Sequence, residues 1–99
     1  MASKRVEFHP HAEEEYLTAL LWYRDRSLTA ANNLESAVAQ AIDRVSTTPE
    51  RWPIYFGDFR KYTLHQFPFS VVYRVFDSHI LVLALAHGHR RPGYWKVRT

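Results

Sequence analysis

The feature that most restricts the fold is the run His79 to His87, HILVLALAH, in which seven consecutive residues, Ile80 to Ala86, are apolar. A strand with one wetted face alternates apolar and polar side chains; one that is apolar at every position is covered on both faces. The run is far shorter than the roughly 18 apolar residues at which a membrane span begins, and no other stretch approaches that length. It is therefore expected to be a central strand of a sheet. Asp77-Ser78 ahead of it has tight-turn composition, and Gly88 ends it.

The remaining elements are placed around this strand. Phe69 to Phe76 reads as its hairpin partner, with Phe69, Val71, Tyr73 and Val75 on one face and Ser70, Val72, Arg74 and Phe76 on the other. Phe67-Pro68 separates that strand from another at Phe59 to Leu64, itself preceded by Gly57-Asp58. Val6 to Phe8 is a short first strand ended by His9-Pro10. Pro10 then opens a helix whose apolar stripe is Ala12, Tyr16, Ala19, Leu20 and Tyr23; Glu13, Glu14 and Glu15 complement the positive end of its dipole. After a break at Ser27 to Thr29, with Thr29 as the expected N-cap, Leu34, Val38, Ala41, Ile42 and Val45 mark a second helix that stops before Pro49. Arg51 to Phe56 reads as an aromatic connection. The expected fold is α+β, in the order β-α-α-β-β-β: a helical hairpin on one face of a mostly antiparallel sheet, in a single domain over residues 1–99.

Charge is unevenly spread along the chain. Residues 1–50 carry 5 basic and 8 acidic side chains for a net −3, whereas residues 51–99 carry 8 basic and 2 acidic for a net +6. The second half is thus a candidate surface for an anionic target, or simply a solvated basic face. The chain has no cysteine, which excludes a disulfide framework and any thiol chemistry. Lys4 and Arg5 are not followed by an apolar core of signal-peptide length, so a cytoplasmic protein without membrane contact is expected. The three glycines form no phosphate loop, and no serine sits in a nucleophile elbow.

The densest chemistry lies in the segment His87 to Arg98, where cations, imidazoles and aromatic rings follow the last strand. Arginine and lysine bind phosphate, aromatic rings stack on unpaired bases, and histidine moves protons near neutral pH. Tyr94 and Trp95 have a second reading as rings packed back on the sheet. His87 and His89 share one side of an extended chain, but no cysteine or carboxylate nearby completes a metal site, so no metal or cofactor is expected. His87 ends the apolar strand, where burial fixes its geometry for acid or base work, or where it is a structural histidine.

Taken together, Phe8-His9-Pro10 with Ala12, Trp22-Tyr23, Pro49-Glu50-Arg51-Trp52-Pro53, Phe67-Pro68-Phe69 with Val72-Tyr73-Arg74, Ala86-His87 and Arg90 to Trp95 resemble the RelE/ParE superfamily, the toxins of bacterial type II toxin-antitoxin pairs, often called plasmid stabilisation proteins. The resemblance covers nearly the whole chain and implies the fold described above, with a cognate antitoxin as partner. It implies one of two activities, with ribosome-dependent cleavage of messenger RNA as the leading expectation and gyrase poisoning as the alternative. RelE-like members are metal-independent endoribonucleases (mRNA interferases) that cut messenger RNA on the ribosome; ParE-like members poison DNA gyrase. A non-catalytic binding module of the same fold is a third reading. RNA cleavage requires a base, an acid and cations around the phosphate. On that reading His87, Arg74, Arg90 and Tyr94 are the expected catalytic residues, and Arg60, Lys61, Arg91 and Trp95 the nucleic-acid-binding ones. The sequence departs from the nuclease pattern at Ser70, about where those enzymes carry an arginine on the middle strand.

Overall fold

The computed structural model describes residues 3–98. The chain runs β1 (Arg5–Phe8), α1 (Pro10–Arg24), α2 (Leu28–Thr47), a 3-10 turn (Pro49–Arg51), β2 (Ile54–Phe56), β3 (Phe59–Thr63), β4 (Phe69–Val75), β5 (His79–His87) and a second 3-10 turn (Tyr94–Arg98). The five strands form one sheet in the order β1-β5-β4-β3-β2, antiparallel except for the β1–β5 pair. The apolar β5 run is interior, flanked by β1 and β4. The expected helical hairpin and antiparallel sheet are present, with one strand more than expected. The segment Arg51 to Phe56 is not a plain connection, because Ile54–Phe56 pairs with β3 across an irregular register.

The helices cover one face. Phe69, Val71, Tyr73 and Val75 of β4, with Ile80, Val82 and Leu85 of β5, pack against the predicted stripes of α1 and α2, where Leu34, Ala41 and Val45 are fully buried. Each large aliphatic side chain buried there contributes about 1.5–3 kcal/mol of transfer free energy. The N-cap of α2 is Ser27, not Thr29: the Ser27 Oγ accepts from the Ala30 N–H at 3.1 Å. The cause is the brevity of the link. The Ser27 N–H still closes the end of α1 by donating to the Tyr23 carbonyl at 2.7 Å, so the next helix begins at once.

The other face is not open, as a sheet with helices on one side would leave it. Between Val72 and Tyr73 the β4–β5 register slips by one residue, pairing Val72 with Ala84 and Tyr73 with Val82 and leaving Leu83 as the extra residue of a bulge. Leu83 and Ala84 therefore both face away from the helices. There they form a second cluster with Val72 and Trp95, the latter carried in by the C-terminal 3-10 turn.

Candidate functional site

The site begins where β1 gives out. The His9 N–H donates to the Val82 carbonyl at 2.8 Å, and at Pro10 the chain turns away into α1, so the outer edge of β5 beyond Val82 has no strand beside it. Two side chains stand in for the missing strand. The Arg98 guanidinium donates to the Leu83 carbonyl at 2.8 Å, and the Leu85 N–H donates to the Glu15 carboxylate at 3.2 Å. Glu15 and Arg98 are joined to each other by two hydrogen bonds of 2.9 and 3.1 Å, with side chains only 17% and 10% exposed. This edge is thus satisfied by a bidentate ion pair rather than by water, a geometry that fixes both partners.

Alongside this pair lies a groove of about 830 Å³ between α1 and the ends of β4 and β5. Its floor is apolar, from Ala19, Tyr23, Phe69 and Leu85, and Trp22 forms a half-exposed wall. Glu14, Glu15, Arg90 and Arg98 supply charges of both signs. Arg90 lies 3.5 Å from Glu15, and its guanidinium stacks over the Tyr94 ring at 3.6 Å. The Tyr94 hydroxyl is buried without a hydrogen bond of normal geometry. Burial first, and then the charge of Glu15, push its pKa up to about 12, so it carries its proton throughout the physiological range. His9 caps α1, its Nδ1 accepting from the His11 N–H at 3.1 Å. Loss of hydration, then the positive charges of His11 and Arg98, lower its pKa and favour the neutral ring that the cap requires.

The structure divides the residues predicted from sequence into two groups. His87, Arg90 and Tyr94 come together at the groove; the His87 ring meets Phe69 edge-on at 5.1 Å, and its Nδ1 accepts from the His89 N–H at 3.0 Å. Arg74 lies on the opposite face of the sheet. It pairs in register with Leu81, six residues before His87, roughly 20 Å along the strand, and sits 3.5 Å from Asp58. Arg60 points to the helix side and holds the carbonyls of Glu50 and Trp52 at 3.1 and 2.6 Å, a structural clamp. Lys61 points the other way, its ammonium 4.0 Å from the centre of the Tyr55 ring. Arg91 is exposed. Trp95 is 1% exposed, with Tyr55, Phe56 and Phe59 around it, so its ring packs and presents no face for a base.

Sequence reasoning missed Glu15, Arg98 and Trp22. Of the three glutamates, only Glu13 lies in the first turn of α1 and fits the dipole reading. The spacing 11, 15, 18, 22 was the available signal, since it puts His11, Glu15, Thr18 and Trp22 on one helix face. Among the described residues no three metal-ligating side chains converge, and no helix is long and apolar enough to cross a membrane.

Residues 6–92 match the family model described as the ParE toxin of the type II toxin-antitoxin system parDE. The chain belongs to the ParE toxin family. It is 26% identical over 91 residues to the proteins named Toxin ParE2 from two strains of Mycobacterium tuberculosis, CDC 1551 / Oshkosh and ATCC 25618 / H37Rv, which takes in 91% of this chain and 87% of each of theirs. Among solved structures, a chain of the chromosomal ParDE toxin-antitoxin system from P. aeruginosa superposes with a TM-score of 0.62 at 19% identity, covering 86% of this chain and 96% of that one. That likeness establishes the fold: two helices on a five-stranded, mostly antiparallel sheet. Membership of a type II toxin-antitoxin family implies an antitoxin as partner.

Proposed function

We propose that this ParE-family protein is a toxin that acts by binding DNA gyrase rather than by cutting messenger RNA, and that its groove along α1 is where its antitoxin holds it. The observation that carries this reading is the dispersal of the cations. A nuclease concentrates positive charge where the phosphorane forms. Here His87 faces a groove that contains two carboxylates, Glu14 and Glu15; the groove arginines Arg90 and Arg98 are paired with Glu15, Arg60 is tied to backbone carbonyls, and Arg74 is on the far side of the sheet. Ser70 adds no charge. An apolar floor with a mixed-charge rim suits a peptide segment better than a polyanion.

The test pairs two assays on the purified protein. Addition to gyrase with plasmid DNA is expected to stall supercoiling and accumulate DNA breaks, while end-mapping of messenger in a translating extract is expected to show no new cuts. Unchanged gyrase activity at micromolar protein together with cuts inside the ribosomal site would overturn the reading. Thr18→Arg, on the exposed groove wall, is expected to weaken antitoxin binding by about ten-fold or more through lost shape fit. Unaltered binding would place the antitoxin elsewhere.

A further inference from the structure

Helix α1 is apolar on two sides, and only one of them is used by the core. Leu17 and Leu21 lie away from the stripe that packs on the sheet and are 55% and 56% exposed. They are flanked by Glu14, which stands at the rim shared with the groove, three residues before and by Arg24 three residues after, so Glu14, Leu17, Leu21 and Arg24 form one line along the outer surface of the helix. Glu14 and Arg24 are both exposed, and neither is in an ion pair among the described residues.

This line is complementary to itself. Positions 17 and 21 are equidistant from residue 19, and so are 14 and 24; at 1.5 Å per residue the leucines stand roughly 3 Å and the charges roughly 7.5 Å either side of that centre. Laid antiparallel across a two-fold axis, Leu17 of one copy meets Leu21 of the other, and each Glu14 meets an Arg24. A parallel arrangement would instead set like charge against like. We infer that two copies of this chain pair through the outer face of α1, antiparallel, with four leucines at the centre and a Glu14–Arg24 contact at each end. Such isologous pairing repeats every contact twice, so each substitution counts twice. The contact is a single helix face, smaller than a standard stable interface, so the pair is a reversible dimer.

Sedimentation velocity of the full chain from about 5 to about 500 µM reads the equilibrium directly. A concentration-dependent dimer is expected, weakened at least about ten-fold by Leu21→Glu. Glu14→Arg and Arg24→Glu are each expected to weaken it, and the double exchange Glu14→Arg with Arg24→Glu to restore it to within about three-fold of the parent, a rescue that misfolding cannot mimic. Circular dichroism on each variant confirms the helix content. A monomer across the whole range, a dimer indifferent to Leu21→Glu, or a charge exchange without rescue would each overturn the inference.

Discussion

Replacing Glu15 by alanine separates two accounts of the acidic run in α1. If the side chain only complements the helix dipole, its removal costs about 0.3–1 kcal/mol, as for any first-turn carboxylate. The structure assigns it more. Its loss leaves the Leu85 N–H without an acceptor at the edge of a buried strand, about 1–3 kcal/mol, and deprives Arg98, itself 10% exposed, of a bidentate partner. Arg98 keeps the Leu83 carbonyl, which limits the damage, so about 3 kcal/mol is expected in total. For a domain of this size that lowers Tm by roughly 12–24 °C. Urea unfolding followed by circular dichroism measures the loss, with Glu13→Ala as the dipole-only control. Arg98→Met and the double variant complete a cycle in which the two effects are expected to add to less than their sum. A Glu15→Ala loss no larger than that of Glu13→Ala would refute the role of this side chain as a substitute strand.

Trp95→Ala is expected to cost about 3–5 kcal/mol by opening a cavity beneath Tyr55, Phe56 and Phe59, measured by the same unfolding curves; a loss under about 1 kcal/mol would mean that the ring is not a core anchor. Tyr94→Phe removes a buried hydroxyl set against the Glu15 carboxylate and is expected to cost about 1 kcal/mol or less, while deleting one of two tyrosines, the other being Tyr73, expected to ionise at about 12 in a spectrophotometric titration. His9 has a folded-state pKa below its unfolded value near 6.5, so the unfolded chain binds the proton more readily. Its contribution is whole above about pH 6.5 and is lost as pH falls through the folded-state pKa. His9→Asn, which keeps a capping oxygen without titrating, is expected to flatten the decline in stability between pH 7 and 5, and an unchanged decline would assign it to other groups.

The helices and long strands were legible because their apolar spacing is enforced by one-sided burial: Ala12 to Tyr23 at helical period, Phe69 to Val75 at period two, and β5 by having no period at all. What failed to show in the sequence was set by contacts distant along the chain. Strand β2 is three residues long, all exposed, so no burial pattern marks it. The Ser27 cap depends on how tightly α1 closes, which the residues of α2 do not encode. The site was half legible. His87, Arg90 and Tyr94 lie close in sequence and meet in space, but Glu15 comes from 70 residues before Leu85, and nothing local to the glutamate run announces that contact. Composition placed Arg60, Lys61 and Arg74 together as cations; strand alternation sends Arg60 to the opposite face from the other two.

The extra residue at Leu83 sets the phase of everything downstream. Up to Val82, even-numbered residues of β5 look toward the helices; past the bulge, Leu85 and His87 do so instead. A regular ladder running through Leu83 without the bulge would exchange the tenants of the two faces, presenting the Ala86 methyl to the groove and swinging the imidazole of His87 to the side held by Trp95, whereas deleting Leu83 would leave Leu85 and His87 where they are. One bulge, at which Leu83 and Ala84 share a face, thus determines whether this protein has a histidine in its groove.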